Sequence, residues 1–124
     1  MEINYSIINK LNLSTKKLIT LPDDITKYIN LIELMCDDNK INSLDNLPPG
    51  LQKLNCTYNN ITSLDNLPPG LQKLDCSYTK ITNLDNLPPG LQTLGCSNNP
   101  LQYDFEPTIE NIRNNTSRTH LATL

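Results

Sequence analysis

Apolar residues fall on a fixed grid along most of the chain. Leu31, Leu34, Cys36 and Ile41 are followed twenty residues on by Leu51, Leu54, Cys56 and Ile61, then by Leu71, Leu74, Cys76 and Ile81, and then by Leu91, Leu94, Cys96 and Leu101. Ile8, Leu11, Leu13 and Leu18 set the same spacing once before the grid begins. Within a unit, Leu54 and Cys56 alternate with Lys53, Asn55 and Thr57, and a period of two places the first pair on one side of a short strand and the polar set on the other. Self-similarity at this period predicts a solenoid whose strands pair in parallel, each unit burying its apolar face only against its neighbours. The repeats are read as 8–30, 31–50, 51–70, 71–90 and 91–103, with an N-terminal cap over 1–7 and a C-terminal cap and tail over 104–124.

The polar part of the unit predicts its turns. Asn39, Asn59 and Asn99 follow the strand at one position, where a buried amide can satisfy backbone groups that a bend leaves unpaired. Lys16 and Thr79 break this ladder, and the single hydroxyl of Thr79 predicts a looser or hydrated turn in the fourth repeat. The return side reads LDNLPPGLQ three times, from Leu44, Leu64 and Leu84. Paired prolines exclude a helix interior, so the outer wall is expected to be extended or polyproline-like, with Gly50, Gly70 and Gly90 swinging the backbone into the next strand. The first unit is longer, and Ile25, Tyr28 and Ile29 behind Pro22, Asp23 and Asp24 predict a turn or two of helix. Ile3, Tyr5 and Ile7 alternate as an extended cap. Pro107, Ile109 and Ile112 predict a capping helix, with Phe105 closing the last core. Residues from about Asn115 read as weakly ordered, His120 as solvated, and Leu121 and Leu124 as able to dock.

Composition narrows the chemistry. Apolar content is 37%, a low figure that reflects concentration at the grid positions rather than disorder. The net charge is −3 and no basic block occurs, so neither nucleic acid nor a membrane is expected as a partner. No signal-peptide layout or spanning run appears, which reads as a soluble, cytoplasmic protein. Cys36, Cys56, Cys76 and Cys96 carry the period of the repeat, so they read as a ladder of small buried hydrophobes rather than as bridges or metal ligands. Asp45, Asp65 and Asp85, beside Asn46, Asn66 and Asn86, read as turn residues bonded to their own backbone. A calcium ladder is the sharper alternative, but the Gly-rich nonapeptide of such sites is missing. No cofactor and no metal is expected.

The unit L-x-x-L-x-C-x-x-N-x-[IL] resembles the leucine-rich repeat over residues 8 to about 101. The implied fold is a leucine-rich repeat solenoid of the α/β class: five repeats, a short parallel inner sheet, an extended outer side and a short C-terminal helix. The short unit with paired prolines resembles the bacterial-effector class, and the wording LDNLPPGLQKL with the tail YDFEPTIENIRN is similar to repeat proteins of mimivirus-like giant viruses. That resemblance implies a viral protein in host cytoplasm, with a virion-associated component as the alternative. Some effectors of this class carry a C-terminal ubiquitin-ligase domain with a catalytic cysteine. Here about twenty residues follow the last repeat, none of them Cys, and the single His has no nucleophile, so no enzyme is expected.

What remains is binding of a protein of unknown identity through outward strand positions. The candidate contacts are Glu33, Met35 and Asp37, then Lys53, Asn55, Thr57 and Tyr58, then Lys73, Asp75, Ser77 and Tyr78, and finally Thr93 and Ser97. Tyr58 and Tyr78, flanked by Lys53 and Lys73 and by an exposed Met35, form the expected patch, because Tyr brings apolar area and a hydroxyl at low entropy cost. A monomer is expected. End-to-end self-assembly through edge strands, and substrate recognition within a ubiquitin-ligase system, are the alternatives.

Overall fold

The computed structural model describes residues 2–123, with side chains described as far as Thr116. Five strands of three residues each, β1 (Lys10–Asn12), β2 (Glu33–Met35), β3 (Lys53–Asn55), β4 (Lys73–Asp75) and β5 (Thr93–Gly95), form one parallel sheet in chain order. The register follows the grid, with Leu11, Leu34, Leu54, Leu74 and Leu94 paired in sequence. Pairing continues past the strands: the amides of Cys36, Cys56 and Cys76 donate to the carbonyls of Asn55, Asp75 and Gly95 at 2.9, 2.9 and 2.7 Å. Leu31, Leu51, Leu71 and the Ile41, Ile61, Ile81 column are completely buried behind this sheet, with the four cysteines among them.

The asparagines staple successive repeats. Asn59 Nδ2 donates to the carbonyls of Cys56 and Thr57 in its own turn and to Cys36 in the repeat before, while its Oδ1 accepts from Ile41 N at 3.0 Å. Asn39 does the same against Leu13, Lys16 and Leu18, so Lys16 contributes its backbone where an amide is missing. Thr79 does not loosen its own turn. It is buried, its hydroxyl donates to Cys76 O at 2.9 Å, and Asn99 Oδ1 lies against its hydroxyl and accepts from its amide. The deficit falls one repeat earlier, since none of Thr79's hydrogen bonds reaches back to the third repeat as the asparagines' bonds do. The junction between the third and fourth repeats is therefore held by backbone pairing and apolar packing without a staple. Thr79→Asn is expected to raise the unfolding free energy by about 1 kcal/mol, read as a higher urea midpoint, and a lower midpoint would refute the staple account.

The outer wall is extended, with a turn at each proline pair in which Leu51, Leu71 and Leu91 donate to Pro48, Pro68 and Pro88 at 3.2 Å. The second proline occupies the turn position that its fixed φ suits. The glycines lie in these turns into the next strand, but the turns do not require glycine's freedom. None has positive φ, and a Cβ on Gly70 or Gly90 would meet nothing. The acidic ladder also differs from expectation: Asp45 accepts from Ser43 Oγ, Asp65 from Asn86 Nδ2 and Asp85 from Tyr103 OH, rather than from their own backbone.

The ends deviate most from the alternation. Tyr5–Ile7 is a 3₁₀ turn, with Ile3 and Ile7 exposed, and only Tyr5 meets the core. Its ring stands edge-on to Tyr28 at 4.8 Å and its hydroxyl donates to Asp24 at 2.7 Å. Asp23–Lys27 is likewise a 3₁₀ helix; Ile25 and Tyr28 are buried, but the helix has ended before Ile29, which is exposed. At the other end α1 (Ile109–Thr123) extends through the segment that the sequence suggests is weakly ordered. Thr108 Oγ1 accepts from Asn111 N, Ile112 is 1% exposed, and Arg113 donates to the carbonyls of Pro88 and Pro89. Phe105 stacks on Tyr103 against the core. The expectations for His120, Leu121 and Leu124 lie outside the described side chains.

Candidate functional site

The polar strand positions face outward as the alternation requires, but they divide into two depressions. A groove of about 240 Å³ crosses the sheet, lined by Glu33, Met35, Lys53, Asn55, Lys73 and Asp75 over Leu34 and Leu54. Lys53 and Lys73 are register partners and both are exposed. Like charges directly opposite destabilise a sheet. Glu33 instead pairs with Lys10 at 3.8 Å, and Met35 is half-buried in the groove floor rather than exposed. Asp75 leans toward β5, where a Cβ on Gly95 would lie 2.7 Å from its Oδ1, so that glycine is what leaves room for the carboxylate.

Beyond the strands the candidate column is less available than alternation implies. Ser77 is buried, with its Oγ accepting from Ser97 N at 3.2 Å, because the chain is already bending inward there. Asp37 accepts from Ser14 Oγ at 2.6 Å and Thr57 Oγ1 donates to Asn55 Oδ1, so both are half-buried and engaged within the scaffold. Thr93 and Ser97 are exposed at the sheet's far edge.

Tyr58 and Tyr78 are 54% and 46% exposed and stack face to face, ring centroids 4.5 Å apart and planes 6° apart. Lys53 and Lys73 do not line their surroundings. A separate open depression of about 430 Å³ holds them together with Lys40, Asn60 and Lys80, residues that the candidate set missed. The column immediately after the asparagine ladder, Lys40, Asn60 and Lys80, carries that signal once the register is applied. Both tyrosines also have left-handed backbone, φ 56° and 57°, as do Thr15, Asp38 and Asn98 at the equivalent places. Asp and Asn tolerate this region, whereas for other side chains it costs roughly 1–2 kcal/mol each. The stack returns about 0.5–1.5 kcal/mol. On these two terms the tyrosine pair is a net cost to the fold.

The four thiols are free and buried. Burial pushes Cys36 and Cys76 up to about 12 and Cys56 well above its ordinary value, and Cys96 is raised for the same reason. Reactive thiols are those with lowered values. Tyr103 is also pushed up to about 12, chiefly by burial and then by its hydrogen bond to Asp85. Among the described residues no group of three or more His, Cys, Asp or Glu could hold a metal ion, and no helix is long and apolar enough to cross a membrane.

The parallel sheet, the asparagine staples and the extended outer wall together define a leucine-rich repeat solenoid. A family model described as Leucine Rich repeats (2 copies) matches residues 49–89. The leucine-rich repeat domain of a Shigella effector is similar in structure, with a TM-score of 0.58 at 24% identity, over 83% of this chain. The chain spans 54% of that structure's length. No curated protein matches the chain.

Proposed function

We propose that this chain is a non-catalytic protein-interaction module that holds a partner on the strand face of its third and fourth repeats. The observation that carries this reading is the concentration there of features the fold does not need. Lys53 stands directly opposite Lys73, a like-charge pairing that costs the sheet, and both are exposed along the groove that crosses it. Departures from local consistency of this kind mark functional surface. The thiols are buried with raised values, which supports a role without covalent chemistry. The likeness to an effector domain is one of fold, and the leucine-rich repeats themselves support interaction as the class of role; substrate recognition within a ubiquitin-ligase system is the less favoured reading, with only the repeat class behind it. The giant-virus reading, with host-cytoplasmic or virion placement, is supported only by the wording of the repeat.

Affinity capture with wild type and a Lys53→Glu/Lys73→Glu variant tests the proposal. Proteins recovered by wild type are expected to be lost by the variant, and equal recovery would sink the strand-face reading. End-to-end association is the weaker reading, because edge strand β1 carries an exposed Lys10, a device that discourages strand addition. Light scattering on a size-exclusion column is expected to give a monomer mass.

A further inference from the structure

We infer that the depression beside the tyrosine stack is a second contact site, one that takes an acidic segment of a partner polypeptide. In this site carboxylates meet Lys40 and Lys80, and an adjoining apolar side chain lies along the ring edges of Tyr58 and Tyr78. The inference rests on the interaction reading above but concerns a different surface, the rim beyond the strands rather than the groove across them.

Charge is the first argument. The chain as a whole is net negative at −3, yet the depression is lined by two exposed lysines and no carboxylate among its described residues. Asp38 stands one repeat away in the tyrosine column and bounds the site on that side. The aromatic geometry selects the kind of ligand. The rings lie 4.5 Å apart in nearly parallel planes, so their facing sides are filled by one another and no planar group enters between them. The ring edges and the outer faces remain, together with two phenolic hydroxyls that have no hydrogen-bond partner among the described residues. Hydroxyl and ammonium donors side by side suit carboxylates, with ring edges offering apolar area beside them. A nucleic-acid strand needs open ring faces for its bases, and this stack withholds the inner two. Left-handed backbone at both tyrosines is the independent observation that these side chains are not there for the scaffold.

The backbone also supplies a clean test variant. Tyr58→Asn/Tyr78→Asn places at both positions the residue already found at Asn98, so the double variant is expected to unfold at a temperature no lower than wild type. Short random peptides displayed on phage would be selected against wild type. The selected peptides are expected to be acidic with an apolar or aromatic residue adjacent. A fluorescein-labelled selected peptide is expected to bind at least about tenfold more weakly to the tyrosine variant and to Lys40→Glu/Lys80→Glu, and more weakly as salt rises. Neutral or basic selected peptides, unchanged affinity in either variant, or equal binding of an oligothymidylate would each overturn the inference. If wild type selects no peptide yet still captures a protein that Lys53→Glu/Lys73→Glu loses, the rim site fails and the strand-face reading stands. If both experiments come back empty, the interaction reading fails with it.

Discussion

Asn59→Ala is expected to lower the unfolding free energy by about 3 kcal/mol, because one truncation abandons several buried backbone groups at once. The amide of Ile41 loses its acceptor, and the carbonyls of Cys36, Cys56 and Thr57 lose a donor. Asn59 is 6% exposed, so water cannot substitute freely without opening the turn. For a chain of this length the loss corresponds to a fall of roughly 10–15 °C in melting temperature. Asn59→Thr is expected to fall between wild type and Ala, since Thr79 shows that a hydroxyl keeps the carbonyl of its own turn but not the bonds into the repeat before. Calorimetry of the three proteins orders them, and an Ala variant within about 1 kcal/mol of wild type would show that the staple is geometrically present but energetically idle.

Ile112→Ala is expected to cost about 2–4 kcal/mol by leaving a cavity where α1 meets the last repeat. Ile112 is 1% exposed, and it is what joins the capping helix to the core that Leu91 and Cys96 would otherwise present to water. In a stack where each unit touches only its neighbours, the damage is expected to stay local. Hydrogen exchange distinguishes this from global weakening. The amides of Cys76 and Tyr78, which pair with Gly95 and Ser97, are expected to lose protection first, while those of Leu13 and Cys36 hold. Uniform loss of protection along the chain would show the five repeats to be a single cooperative unit instead.

The register was legible because twenty-residue identity repeats the same Leu, Cys and Ile contacts, and stacking allows only one alignment of identical units. The ends were less legible for a physical reason. Three alternating residues such as Ile3, Tyr5 and Ile7 suit a strand or a tight turn equally, and at an open end no neighbour decides between them. Ser77 was misread because alternation holds only while the strand stays straight. Gly50 and its equivalents read as swinging the backbone into the next strand, and they do so without using the freedom of glycine, since φ is not positive there. Asn46, Tyr58 and Tyr78 take positive φ instead, and Tyr is a residue whose preferences point to strands. The pairing of the tyrosines with Lys40 was legible only through the register, since in sequence Lys40 lies closer to Met35 than to either ring, whereas Lys80 stands two residues from Tyr78.

The left-handed column has a consequence for how such a surface can change. Thr15, Asp38, Tyr58, Tyr78 and Asn98 have almost the same φ although they are of four residue types. The conformation is therefore imposed from outside, by the interlocked turns on either side, and the occupant of the position has no vote in it. A residue exchanged there alters what the rim displays while leaving the ladder beneath it in place. The scaffold behaves like a row of sockets and the side chains like interchangeable fittings, so a chain of this design can acquire a new target by a few substitutions in one column without having to fold anew.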